Sequence, residues 1–125
     1  MGEIIYLKKI FKFEAAHFLP HVPEGHKCRR MHGHSFAFEV EIRGEMDNQK
    51  GWVLDYGDIT DVVGPLVKRH LDHYLLNDVE ELENPTSENL CIWLWKKIKP
   101  GLPLLHKISV METCTNSAEY FGPGK

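Results

Sequence analysis

Alternating apolar and polar positions predict two strands in the first third of the chain. Between Ile4 and Phe13 the odd-numbered residues are mostly apolar, and this parity continues to His17 if the backbone stays extended. Phe36–Arg43 alternates without interruption and carries its apolar residues at even-numbered positions. A period of two places these side chains on one face of a half-buried strand. His32 and His34 share the apolar parity of the second strand, so they face inward if that strand begins early.

Apolar residues at helical spacing predict a first helix that begins after Asp58, the expected N-cap. Its apolar stripe consists of Ile59, Val62, Val63, Leu66 and Val67. The pair Gly64-Pro65 interrupts this stripe. Because apolar positions continue past it to Leu71, the pattern predicts a kink there rather than the end of the helix.

A second helix is predicted to begin near Pro85-Thr86-Ser87, with Thr86 as its cap. Its apolar stripe consists of Leu90, Trp93, Leu94 and Ile98. Pro100-Gly101 ends it, because proline cannot continue a helix and glycine is common just past a helix C-terminus.

The remaining pattern completes an α+β architecture. Ile108–Thr115 reads as a further strand and Trp52–Leu54 as a short one, while residues 20–30 and 46–51 form loops. The order strand, strand, helix, helix, strand predicts an α+β sheet with both helices packed on one side. Residues 1–125 are long enough to build one domain with its own core.

Composition excludes several classes of function. The net charge is −3 and there is no long basic run, so a nucleic-acid partner has little electrostatic support. No apolar stretch is long enough to span a bilayer, and the N-terminus lacks the pattern of a signal peptide. Three cysteines form a sparse, odd-numbered set, which favours reduced thiols and a cytoplasmic protein.

Three histidines form a candidate metal site. Side chains two apart in a strand point the same way, so His32 and His34 can aim at one point, and His17 at the end of the first strand can join them. Three protein ligands with an open fourth position are typical of a catalytic zinc. Cys28 as a fourth ligand would instead give a closed, structural site, and the spacing permits both arrangements.

Cys28 is also a candidate reactive group. It lies among His26, Lys27, Arg29 and Arg30, and positive neighbours favour the thiolate form of a cysteine. A thiolate beside a metal-bound hydroxyl can act as a general base. The alternative is an ordinary loop cysteine surrounded by solvated charges.

Two further groups carry candidate chemistry. In Asp72-His73 a carboxylate can orient an imidazole. Adjacent residues rarely bond each other, however, so a histidine that interacts with a helix C-terminus is the simpler interpretation.

Glu112 is predicted inside the strand Ile108–Thr115, on the same face as Val110 and Cys114. A buried carboxylate needs a partner, and a heterocycle with an amino group beside a ring N–H would suit it. The alternative is an edge-strand glutamate in water.

Eight stretches of the chain combine into one pattern. They are Phe13-Glu14-Ala15-Ala16-His17, Pro20-His21-Val22-Pro23-Glu24-Gly25-His26-Lys27-Cys28, Met31-His32-Gly33-His34-Ser35, Gly51-Trp52-Val53-Leu54-Asp55-Tyr56, Leu71-Asp72-His73, Leu76-Asn77-Asp78, Glu83-Asn84-Pro85-Thr86-Ser87-Glu88 and Glu112-Thr113-Cys114-Thr115. This pattern resembles the 6-pyruvoyl-tetrahydropterin synthase family over nearly the whole chain. The short interval from Cys28 to His32 is similar to the carboxy-forming branch, since the pyruvoyl-forming enzymes carry a longer insert there.

The resemblance implies a role for each candidate residue. It implies that His17, His32 and His34 bind Zn²⁺ and that Cys28 accepts a proton. It also implies that Asp72 and His73 form a relay, against the simpler interpretation above, and that Glu112 anchors the pterin ring. Charge alone, rather than the resemblance, assigns Lys27, Arg29 and Arg30 to contacts with the triphosphate.

The resemblance also implies a fold and a reaction. The fold is the tunnelling fold (T-fold), in which the sheets of several subunits join into a barrel, active sites lie between subunits, and hexamers built from two trimers are usual. The reaction converts 7,8-dihydroneopterin triphosphate to 6-carboxy-5,6,7,8-tetrahydropterin, acetaldehyde and triphosphate in queuosine (7-deazaguanine) synthesis. Two alternatives remain open: a synthase that stops at 6-pyruvoyl-tetrahydropterin, and a zinc-stabilised binding module.

Overall fold

One antiparallel sheet and two helices make up the computed structural model, which describes residues 2–112 and 115–125. The elements are β1 (Ile4–His17), β2 (His32–Glu45), α1 (Tyr56–His70), α2 (Ser87–Ile98), β3 (Leu105–Met111) and β4 (Ser117–Tyr120). The strands lie side by side in the order β1-β2-β3-β4. Short 3-10 turns at Lys27–Arg29 and Leu76–Asp78 interrupt the connections.

The pairing of β1 with β2 confirms the predicted parities and extends both strands. β1 continues to His17 and β2 begins at His32, so the two histidines are directly opposite each other. Further along the same face, the rings of Phe13 and Phe36 stack with their centroids 5.1 Å apart. Directly opposed residues share a face of an antiparallel pair, so the apolar face of the sheet runs without a break into the histidines.

The core lies between this face and the helices. Phe36, Phe38, Val40 and Ile42 of β2 are at most 2% exposed. Ile59 and Val63 of α1 and the predicted stripe of α2 join the same buried cluster. Both helices therefore cover one side of the sheet, as the α+β prediction expected. Cys91 of α2 is buried in this core as well.

The start of α1 corrects one prediction. Asp55, not Asp58, is the N-cap: its carboxylate accepts from the backbone N–H of Gly57 at 2.8 Å, and Asp58 lies inside the first turn. The helix then runs through Gly64 and Pro65 to His70, so the pair does not end it. Thr86 caps α2 as predicted, through the backbone N–H of Asn89.

This assignment predicts different effects for two neighbouring aspartates. Asp55→Ala removes the cap and is expected to lower the free energy of unfolding by about 1 kcal/mol. Asp58→Ala removes only a charge that interacts favourably with the helix dipole, so its effect is expected to be smaller. Urea denaturation of both variants measures the difference, and a larger loss for Asp58→Ala would contradict the cap assignment.

The C-terminal strands differ from the prediction. β3 runs from Leu105 to Met111, so it begins three residues before Ile108 and ends before Glu112. β4 was not predicted, because Ser117–Tyr120 is only four residues long. The prediction of a strand at Trp52–Leu54 was wrong, because Trp52 makes only an isolated bridge to Asp47.

In the part of the chain described, no helix is both long and apolar enough to cross a membrane.

Candidate metal centre and active site

The register of β1 and β2 brings three imidazole rings together at one end of the sheet. His17 is opposite His32, and the neighbouring position of β1 on this face, Ala15, is opposite His34. One nitrogen from each histidine lies within 4.8 Å of the other two. Nε2 of His17 and Nε2 of His34 are 3.1 Å apart. The predicted three-histidine cluster is therefore assembled by the strand pairing itself.

Backbone carbonyls fix the orientation of all three rings. Nδ1 of His17 lies 2.9 Å from the Pro85 carbonyl, and Nδ1 of His32 lies 2.9 Å from the Arg30 carbonyl. Nδ1 of His34 contacts the Ser35 carbonyl at 3.2 Å. A carbonyl only accepts, so each Nδ1 carries the proton and each Nε2 keeps a free lone pair. Such partners are the usual outer shell of metal-binding histidines.

Burial keeps the His17 ring in the form that binds metal. His17 is 2% exposed. Burial lowers the pKa of His17, the hydrogen bond to Pro85 opposes this shift, and the neighbouring His32 and His34 add to it. A neutral imidazole is the metal-binding form, so burial of His17 favours its binding to a metal ion.

The donor set fits a tetrahedral ion with an open position. With zinc–nitrogen bonds of about 2.05 Å, tetrahedral geometry puts neighbouring nitrogens roughly 3.3 Å apart. The spacing of 3.1 Å between His17 and His34 is close to this value, and the third nitrogen lies within 4.8 Å of both. Imidazole nitrogens suit Zn²⁺ and also other divalent transition-metal ions. The structure therefore contains a group of three histidines able to hold such an ion.

Glu112 reaches the histidines from outside the sheet, which corrects its predicted environment. It follows the end of β3, and its side chain is 41% exposed rather than buried in the strand. Its Oε1 lies 3.8 Å from Nε2 of His34 and 4.0 Å from Nε2 of His17. Its Oε2 accepts a hydrogen bond from the Ser87 hydroxyl at 3.0 Å. The carboxylate thus stands at the open side of the histidine cluster. Thr113 and Cys114, the latter predicted on the same face, lie outside the described residues.

Cys28 lies in the turn Lys27–Arg29 and lines an open groove of about 560 Å³. His32, His34 and Glu112 line the same groove. Among the described residues, the group of potential metal ligands comprises the three histidines and does not include Cys28. This arrangement favours a cysteine that faces a bound ligand over one that closes the metal shell.

The basic residues around Cys28 differ in what they do. Lys27 and Arg30 line the groove. The Arg29 guanidinium instead donates to the Val22 carbonyl at 3.0 Å, and this hydrogen bond connects two parts of the same loop. The expectation that Arg29 faces an anion is therefore weaker than for its two neighbours.

Asp72 and His73 bond each other despite being adjacent. Nδ1 of His73 is 3.1 Å from Oδ2 of Asp72, and His73 has a φ of 66°, the bend that makes this contact reachable. The backbone N–H of Glu14 and then the His73 ring hold the pKa of the Asp72 carboxyl below its usual range. The His73 side chain is 79% exposed, so the contact with Asp72 orients an imidazole that faces outward.

His73 of this pair lines a different groove from Cys28. His73 borders a groove of about 430 Å³ along β1, together with Glu14, Tyr74 and His34. Of the three histidines, His34 lines both grooves. The described residues of one chain therefore bring Cys28 and Glu112 to the histidine cluster but leave His73 on a neighbouring surface.

Sequence reasoning missed two groups of this site. The Pro85 carbonyl orients His17 from 68 positions away, and a backbone atom leaves no trace in a residue pattern. Ser87 was interpreted only as the start of α2, although its hydroxyl holds Glu112. The Ser87 hydroxyl at the first position of α2 was the only sequence signal for this contact.

Cys91, interpreted as a packing residue, is buried, and burial raises the pKa of its thiol to about 11.

The sheet, its two helices and the histidine cluster define a T-fold protein with a three-histidine centre. The sequence profile of the family described as 6-pyruvoyl tetrahydropterin synthase matches residues 6–123, and the chain belongs to this family. The 6-pyruvoyl tetrahydropterin synthase of Caenorhabditis elegans has a similar structure, with a TM-score of 0.87 and 30% identity over 97% of each chain.

Two curated relatives differ in their distance from this chain. A 6-carboxy-5,6,7,8-tetrahydropterin synthase of Synechocystis sp. is 49% identical over 96% of this chain and 94% of its own length. The 6-pyruvoyl tetrahydrobiopterin synthase of Drosophila melanogaster is 33% identical over 78% of this chain and 62% of its own length. The chain is thus more similar to the carboxy-forming relative, as the short interval from Cys28 to His32 predicted.

Proposed function

We propose that this chain is a metal-dependent lyase that forms 6-carboxy-5,6,7,8-tetrahydropterin. The reaction consumes 7,8-dihydroneopterin triphosphate and water and releases acetaldehyde and triphosphate. One observation carries the proposal: two of the three metal-binding histidines, a thiol and a carboxylate line the same groove. The similarity to the Synechocystis synthase supports the same product. The pathway proposed is queuosine synthesis, and the site of action proposed is the cytoplasm.

His17, His32 and His34 hold the metal ion in this proposal, and the ion is Zn²⁺. Three neutral imidazoles with an open corner are the ligand set of catalytic zinc sites. When bound, zinc supplies Lewis-acid chemistry, which acidifies hydroxyl groups of the substrate side chain. The residues of the chain then have to orient the pterin and move its protons.

Glu112 anchors the pterin ring. A carboxylate can accept two parallel hydrogen bonds from an amino group and an adjacent ring N–H. The hydrogen bond from the Ser87 hydroxyl to Oε2 restricts the rotation of this carboxylate. Its Oε1 lies 3.8 Å from Nε2 of His34, beside the proposed metal site. A ring bound here places its side chain over the three histidines, which supplies the orientation that the reaction needs.

Cys28 acts as the general base. It lies in the turn Lys27–Arg29 and lines the groove together with Lys27, His32 and His34. Lys27 and Arg30 border the same groove, so their charges are available to the triphosphate at the far end of the substrate. Arg29 keeps the loop folded through Val22.

Asp72 and His73 return a proton to the substrate from a neighbouring subunit. Their exposed position beside β1, in a separate groove, supports a site shared between two copies of the chain. β1 is an edge strand of the sheet, and open edges in native proteins are normally covered. We propose that β1 is covered by another subunit in a homohexamer of two trimers, which brings His73 of one copy to Cys28 of the next.

Product analysis tests this function. Zinc-loaded protein is incubated with 7,8-dihydroneopterin triphosphate, the pterin is identified by mass spectrometry, and acetaldehyde is trapped as its hydrazone. We expect the carboxy product and acetaldehyde in equal amounts. Pyruvoyl product without acetaldehyde would contradict the proposal and favour the alternative, a synthase of the Drosophila type. No turnover, with zinc needed only for folding, would favour the binding module.

A further inference from the structure

The turn that carries Cys28 is fixed at both polar groups of the Cys28 backbone. Its carbonyl accepts from the backbone N–H of Leu19 at 2.7 Å. Its N–H donates to Nδ1 of His26 at 3.1 Å. Cys28 is only partly buried, so few packing contacts are available to hold it in place. Its position in the groove therefore depends on these two hydrogen bonds.

His26 makes three of the contacts that define this turn. It is the N-cap: its side chain accepts from Cys28, and its carbonyl accepts from the N–H of Arg29 at 3.1 Å. Its own N–H donates to the Pro23 carbonyl at 3.0 Å. An N–H donor requires a lone pair on the acceptor, so Nδ1 is unprotonated and the ring proton sits on Nε2. The cap thus requires an acceptor at the δ1 position.

The far end of the turn is tied to the metal site. The N–H of Arg30 donates to the Lys27 carbonyl at 3.2 Å, and the Arg30 carbonyl accepts from Nδ1 of His32. The turn therefore stretches between the His26 ring on one side and a metal-ligand ring on the other. Leu19 still holds the Cys28 carbonyl when the His26 ring contact is lost, but the Cys28 N–H then has no side-chain acceptor, and this side of the turn loosens relative to the His32 end.

We propose that His26 is a positioning residue, whose neutral ring holds the Cys28 thiol at its working distance from the substrate. This inference rests on the proposed role of Cys28 as general base. His26 touches the backbone of Cys28 and acts only through it. A misplacement of a reacting group by about 1 Å can cost roughly 100-fold in rate, and loss of one exposed cap should cost less.

Asparagine and glutamine at position 26 form a matched pair that tests this role. His26→Asn places an amide oxygen where Nδ1 lies, and asparagine is itself a preferred N-cap. His26→Gln places the oxygen one bond further out, where Nε2 lies, and cannot form the same contact. We expect kcat of His26→Gln to fall roughly ten-fold with KM within two-fold of native, and His26→Asn to remain within about two-fold of native in both.

Alkylation of Cys28 gives a second readout that needs no turnover. The thiol is partly buried, so a loosened turn exposes it, and iodoacetamide should modify Cys28 several-fold faster in His26→Gln than in His26→Asn. Peptide mapping separates Cys28 from Cys91 and Cys114. Zinc content should agree between the two variants, and the melting temperature of His26→Gln should be lower by only a few degrees, the cost of one cap, which excludes general unfolding as the cause.

Equal kcat or equal alkylation rates in the two variants would overturn the role of His26. A Cys28→Ala variant measured beside them separates this failure from that of the proposed function. Full turnover without the thiol would reject the general base, whereas the alkylation comparison would still report whether His26 holds the turn.

Discussion

Replacing Cys28 with alanine is expected to leave the zinc content unchanged and to lower kcat by about 10²–10⁴-fold, the usual cost of losing a general base. The physical reason is the separation of roles in the groove. The group of potential metal ligands comprises three histidines without Cys28, while Cys28 lines the space in front of them. Steady-state kinetics and metal analysis of the purified variant measure both quantities.

The outcome of this substitution distinguishes two classes of protein. If Cys28 closed the metal shell of a binding module, the alanine variant would lose zinc and melt at a lower temperature. Cys28→Ser is the matched control, because it keeps the size of the side chain and replaces the thiol with a much weaker acid. We expect Cys28→Ser to retain zinc and remain strongly impaired.

His32→Ala is expected to abolish both metal binding at stoichiometric zinc and turnover. Only two imidazoles would remain, and the Arg30 carbonyl would lose its donor. Loss of an outer-shell partner alone typically lowers metal affinity 10–100-fold, and loss of a ligand should exceed this. Competition with a chromophoric chelator measures the affinity.

Thermal unfolding provides an independent measurement of the same change. An ion present at 1,000 times its Kd stabilises the native state by about 4 kcal/mol, so zinc should raise the melting temperature of the native protein and not that of His32→Ala. His21→Ala is the control, because His21 is exposed and lies outside the cluster. A zinc response in His32→Ala equal to that of His21→Ala would contradict the three-histidine centre.

Much of the fold follows from local sequence patterns. The period-two alternation located β1 and β2 and placed His17, His32 and His34 on the apolar face. Helical spacing located both helices, and Thr86 gave the start of α2. These predictions succeeded because burial of one face is a local property of a strand or a helix.

Other features depend on contacts that no local pattern specifies. Asp55 rather than Asp58 begins α1, since both are suitable caps and the turn before the helix decides between them. Glu112 was expected inside a strand, yet β3 ends one residue earlier and leaves the carboxylate exposed. β4 alternates polar and apolar residues, but its four residues are too few to be recognised as a strand.

The sequence by itself determined the candidate site residues and, for His17, His32 and His34, the face of the strand on which each one lies. Only the tertiary structure decided how they meet. The β1–β2 register places His17 opposite His32, the Pro85 carbonyl contacts His17 from another loop, and His73 lines a separate groove. The physical reason is that side-chain periodicity is set by neighbouring residues, whereas register, loop docking and carbonyl contacts arise between segments far apart in the chain.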